Sequence, residues 1–215
     1  MSLRSLLHKS QPEQQFLLFQ SSSSQSALPI LRSLLAVKSQ TSTLLFCLLY
    51  PPSDLVEGAR EDVQVHDCLD CVPGYSTDDV DVRTTIIAAI EKAPAGALSI
   101  VIDSVDTLTS DFGSDAETIK FLRELASIVA SWPSPSRLII HTITPQPILV
   151  QSSFSPSLTH ITVYPPVLLT HLATEYLTPP PPLSRAQILG RVSSLQRTSL
   201  RNGSLSLWSG RTGLR

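Results

Sequence analysis

A chain of 215 residues with a formal net charge of −2 has room for one ordinary domain with some extension; it excludes two large domains, and its charge does not suggest a protein built around a broad basic surface, local patches aside. Three cysteines, an odd number, argue against a disulfide framework and agree with a reducing compartment. The apolar part of the amino end is too short for a secretory leader, and no run approaches the ~18 apolar residues of a membrane span, so the expectation is a soluble intracellular protein. Charge is unevenly placed: acids dominate between Asp54 and Asp81, whereas after Glu175 every charged residue is arginine.

In chain order, Q-F-L-L-F-Q at 15–20 is a short apolar run that reads as a buried strand. A serine loop, 21–26, leads into a helix whose Leu28, Leu31, Leu34 and Leu35 recur at helical spacing, with Pro29 tolerated in its first turn. T-L-L-F-C-L-L-Y at 43–50 is a second strand, stopped by Pro51 and Pro52. After an acidic connector, V-Q-V-H-D at 63–67 alternates as a shorter strand near the sheet edge. The stretch 76–92 predicts an amphipathic helix with Val82, Ile86, Ile87 and Ile90 inward, closed by Pro94 and Gly96.

The run A-L-S-I-V-I-D at 97–103 is too continuously apolar for a strand with one wet face, and it suits a parallel sheet covered on both sides. Ser114 then opens a strong helix through Ser131, with Ile119, Leu122, Leu125, Ala126 and Val129 on one face. R-L-I-I-H-T-I-T at 137–144 reads as a buried strand, and L-T-H-I-T-V-Y at 158–164 as a half-exposed one. The apolar stretch 167–177 fits either a short helix or a strand. Pro179 to Pro182 form a polyproline stop, and beyond them an Arg/Ser/Leu-rich segment reads as poorly ordered, with weak helix near 186–195. No internal repeat is visible. The order of elements gives an α/β domain over 1–182, a largely parallel sheet with helices on both faces, followed by a tail over 183–215.

Asp103 ends its strand where open α/β sheets bind ligands, so it is either part of a site or a cap for the next turn. It resembles the acid that holds magnesium through water in nucleotide-binding proteins. A working phosphate loop after the first strand needs glycines for close backbone approach and a lysine for the β/γ-phosphates. The segment 21–28 supplies hydroxyls but neither glycine nor lysine, so its serines read as partners for the helix amino end. No G-x-S-x-G elbow supports a serine nucleophile. His141 ends the strand I-I-H on the edge that carries Asp103, while His66, His160 and His171 lack metal-type spacing and read as structural residues. Cys68-Leu-Asp-Cys71 is a lone C-x-x-C without two further ligands, followed by a Pro73-Gly74 turn instead of a helix; Cys47 lies inside an apolar run. No catalytic, cofactor-binding or metal-binding residue is assigned.

Taken in order, Q-F-L-L-F-Q-S-S-S-S-Q-S-A-L-P-I-L-R, L-S-I-V-I-D-S-V-D-T-L, F-L-R-E-L-A-S-I-V and R-L-I-I-H-T resemble the fifth subunit of the Elongator complex, most of all its fungal members, over roughly residues 3–177. The sister sixth subunit has a similar plan. The resemblance implies a RecA-like domain without a functional phosphate-binding loop. It implies assembly with subunits four and six into a hexameric ring that binds tRNA. In the cytoplasm and nucleus that ring would serve wobble-uridine modification, whose chemistry belongs to another subunit. Arg83, Arg123 and Arg137 are candidate phosphate contacts or ordinary surface charges. After Pro182 the chain departs from the family: the Arg/Ser/Leu segment stands where many members are acidic. The alternative reading is an active ATPase with a divergent serine-rich loop and Asp103 placing magnesium.

Overall fold

Apolar runs too short for helices and rich in Leu, Ile, Val and Phe bury both faces only as interior strands, and the long runs of this chain do so. The computed structural model describes residues 15–37, 41–71, 81–151, 154–155, 157–176 and 204–207. The amino end 1–14, the Pro73-Gly74 turn, positions 76–80 of the expected helix, the polyproline stop and the weak helix near 186–195 lie outside the described residues.

The elements are β1 (Phe16–Gln20), α1 (Leu28–Leu35), β2 (Ser42–Cys47), α2 (Pro52–Leu55), β3 (Val63–Asp67), α3 (Val82–Glu91), β4 (Leu98–Ile102), α4 (Val105–Phe112), α5 (Asp115–Ser131), β5 (Arg137–Thr142), β6 (Leu158–Val163), α6 (Pro166–Tyr176) and β7 (Ser204–Leu207). The strands lie in the order β3-β2-β4-β5-β1-β6-β7, and every pairing is parallel. Alternation along the strands separates two cores. Phe16, Leu18, Phe46, Ile100, Ile102 and Ile140 meet α3, α4 and α5 on one face, while Leu17, Phe19, Leu45, Val101, Ile139 and Ile161 meet α1 and α2 on the other. This is an α/β fold of the RecA-like kind, with helices on both faces.

Several boundaries differ from expectation, each for a local reason. β2 stops at Cys47 instead of Tyr50, because the amides of Leu48, Leu49 and Tyr50 turn to a side chain instead of a neighbouring strand. β5 stops at Thr142 instead of Thr144 for the same kind of reason, since Ile143 and Thr144 donate to Asp106. β6 is not half-exposed: it lies between β1 and β7, and Thr159, His160 and Thr162 are buried with Ile161 and Val163. The ambiguous stretch after it is the helix α6, none of whose side chains is buried. Sequence periodicity missed α2 and α4. Ser104 caps α4 by accepting from the Thr107 amide at 3.1 Å, and α4 ends at Gly113, whose φ of 65° falls in the left-handed region glycine adopts without strain.

Candidate functional site at the carboxyl ends of the strands

The helix after β1 packs on one face of the sheet and those after β4 on the other, so the carboxyl ends of β1, β4 and β5 border the crevice where such sheets take ligands. Ser21, Asp103 and His141 all lie there and are buried. Apolar β4 carries Asp103 to complete burial, at 0% exposure. Its Oδ1 accepts from the Leu48 amide at 2.7 Å, and its Oδ2 from the amides of Leu49 and Tyr50 at 3.0 and 2.8 Å. Burial raises the pKa of this carboxyl, and the three amides and nearby His141 oppose the rise.

His141 sits at 0% exposure between two partners. Its Nδ1 lies 2.6 Å from the carbonyl oxygen of Asp103, which can only accept, so Nδ1 carries the hydrogen. In the neutral ring Nε2 is then an acceptor, and the Ser21 hydroxyl donates to it at 2.8 Å. Burial keeps the ring neutral by lowering its pKa, against the pull of the Asp103 carbonyl and the Asp103 and Asp106 charges. Tyr50 ties the group to the serine loop. Its amide donates to Asp103, its ring centroid lies 6.2 Å from that of His141, and its hydroxyl is 3.2 Å from the Ser26 Oγ.

The serine loop is bonded largely within itself. Ser22 and Gln25 exchange both backbone hydrogen bonds, at 3.2 and 3.1 Å, and the Ser21 amide donates to the Thr142 carbonyl. Ser26 Oγ accepts from the Leu28 amide at 3.0 Å, so a serine does meet the amino end of α1, as its composition implied.

A second carboxylate, overlooked in the sequence, mirrors the first. Asp106 in the first turn of α4 accepts from the Ile143 amide at 2.7 Å, the Thr144 amide at 2.9 Å and the Thr142 hydroxyl at 3.1 Å. Burial alone would raise its pKa, but these donors outweigh burial and leave it lowered. The available signal was an acid two residues past a helix-capping serine, at D-S-V-D.

No family model matches the chain, and no curated protein matches it. The remaining candidates do not gather at the crevice. Arg83 on α3 pairs with Glu124 at 2.8 Å and lies over the Phe121 ring; Arg123 on α5 lies over the Phe154 ring; Arg137, at the opposite end of β5, donates to the Ser99 Oγ at 3.1 Å. His66 stacks on Phe46 at the β3 edge, His160 donates from Nε2 to the Gln20 Oε1 at 3.0 Å, and His171 is exposed on α6. Among the described residues no His, Cys, Asp or Glu cluster could hold a metal, and no helix is long and apolar enough to cross a membrane. A cleft of about 500 Å³ bordered by Arg32, Leu55, Glu57 and Arg60, and one of about 270 Å³ beside Arg123 and Phe154, both lie away from Asp103.

Proposed function

We propose that this chain is a non-catalytic, ring-forming subunit of an Elongator-type complex, most like the fifth, that assembles with the fourth and sixth subunits into a hetero-hexamer binding tRNA. In that role it supports wobble-uridine modification in the cytoplasm and nucleus without carrying out the chemistry. The relationship rests on the order of the motifs quoted from the sequence. One observation carries the non-catalytic reading: Asp103, the acid placed where magnesium would be held, spends both oxygens on three backbone amides at 0% exposure. A carboxylate that holds magnesium through water needs an oxygen that water can reach, and this one is at 0% exposure.

The serine loop supports the same reading, since Ser22 and Gln25 satisfy each other instead of turning their amides toward a phosphate. The nucleotide-binding alternative draws on position alone, because Ser21, Asp103 and His141 sit at the carboxyl ends of strands.

Co-expression of the full chain with subunits four and six tests the proposal. The expected result is one stoichiometric complex by size exclusion with light scattering, shifting labelled tRNA more than any subunit alone. A chain that stays monomeric beside both partners overturns it.

A further inference from the structure

The Cys68-Leu-Asp-Cys71 motif takes no part in the crevice or in the ring reading. It forms the turn that ends β3: the Cys71 amide donates to the Cys68 carbonyl at 3.1 Å, an i to i+3 bond. Such a turn holds its end α-carbons within about 7 Å. A disulfide spans about 4.4–6.8 Å between α-carbons, a range that overlaps what such a turn allows. Cys71 lies close enough to Cys68 to raise the pKa of its thiol. Cys68 is buried and Cys71 half-buried, so a small solute reaches Cys71 first. Cys47, whose carbonyl accepts from the Cys68 amide at 2.9 Å, belongs to the core on the other face of the sheet.

We propose that Cys68 and Cys71 are a stoichiometric oxidation site that closes to a disulfide when a peroxide reaches Cys71. In the first step the peroxide O–O bond breaks, Cys71 Sγ gains one oxygen as a sulfenic acid, and water leaves. In the second, Cys68 Sγ attacks Cys71 Sγ; the S–S bond forms as the S–O bond breaks, and the hydroxide departs with the Cys68 proton as a second water. Two thiols lose two electrons in total and the peroxide gains them.

The surroundings suit a slow, single closure and not turnover, because a raised thiol leaves little thiolate at Cys68 to attack. Thiol–disulfide catalysts carry a depressed thiol, whereas burial, the neighbouring Cys71 and the Asp67 and Asp103 charges push Cys68 up to about 12.

The experiment treats the folded full-length chain with hydrogen peroxide, alkylates it with a maleimide in denaturant, and maps the digest by mass spectrometry. The expected product is a peptide holding Cys68 and Cys71 that has lost two hydrogen atoms and takes no maleimide until dithiothreitol restores two alkylation sites. Cys71→Ser should abolish that product and leave Cys68 alkylated, and Cys68→Ser should leave a sulfenic acid at position 71 that dimedone traps. Full alkylation of both thiols after peroxide, a sulfinic acid at Cys71 without the bridge, or a bridge to Cys47 would each overturn the assignment.

Discussion

Asp103 gathers three amides from a segment that precedes it by more than fifty residues, Leu48 lying 55 positions away. An asparagine at 103 has nearly the same shape, yet it presents an N–H₂ group where the carboxylate presents an acceptor, so at least one amide among Leu48, Leu49 and Tyr50 would face another donor. Asp103→Asn should therefore lower stability by about 2–3 kcal/mol, the cost of a buried unsatisfied donor, as read from urea denaturation midpoints. An unchanged midpoint would mean that the carboxylate does not hold this turn. His141 beside it supplies a pH dependence of known sign. Its folded pKa is lowered by burial while the unfolded value stays near about 6.5, so the unfolded chain takes up the proton first as pH falls. The contribution is present above that unfolded value and is lost as pH falls toward the folded one. His141→Asn, whose Nδ2 can replace Nδ1 at the Asp103 carbonyl, should flatten the stability profile between pH 7.5 and 5, with residual slope from His66 and His160, which burial also lowers. An identical slope in the variant would show that His141 is not the titrating group.

Elements whose stability comes from apolar side chains could be read from their pattern, and those held by polar contacts could not. Ile119, Leu122, Leu125 and Val129 on α5 are buried as their spacing requires, and Ile100, Val101 and Ile102 are each at 0% exposure. By contrast α4 buries only Val105 and Leu108, so V-D-T-L-T-S-D-F offers little periodicity, and its position follows from Asp106 reaching the end of β5. β6 misled because its threonines and histidine look solvent-facing, yet His160 finds Gln20 on β1 and the strand is interior. Asp106→Ala removes the acceptor for two amides, while the Thr142 hydroxyl keeps the Thr144 carbonyl at 2.8 Å. Hydrogen exchange should show lost protection at Ile143 and Thr144, with stability lower by about 1–3 kcal/mol. The helices give a matched contrast. Leu125→Ala opens a hole in a filled core and should cost about 2–5 kcal/mol. Leu172→Asp on α6 should change stability by no more than about 0.5 kcal/mol, since no α6 side chain is buried. Equal losses in these two variants would refute the packing described for α6.

At the scale of the molecule, the strand order decides where a ligand would have to bind. β1 lies between β5 and β6, β4 lies next to β5, and the helices after β1 and β4 take opposite faces, so the crevice bordered by Ser21, Asp103 and His141 is the position such a sheet offers. That position was legible in the sequence, because the apolar run at 98–102 ended on an acid. How its groups are used was not, since the side-chain hydrogen bonds of Asp103, Asp106 and His141 cross between elements distant in the chain. The acid is turned onto amides, Ser21 donates to His141, and Ser22 and Gln25 bond each other, so the proposed non-catalytic reading makes a direct prediction about nucleotide. Isothermal titration of the unsubstituted chain with ATP and magnesium should give no measurable heat at concentrations where micromolar binding would register. The unsubstituted chain is the right material, because Asp103→Asn would lose affinity through the broken turn whether or not the carboxylate ever met a metal. Micromolar binding would mean that the 48–50 segment gives up its hold on Asp103 in the presence of nucleotide. Loss of hydrogen-exchange protection at those three amides on adding ATP would identify that release directly.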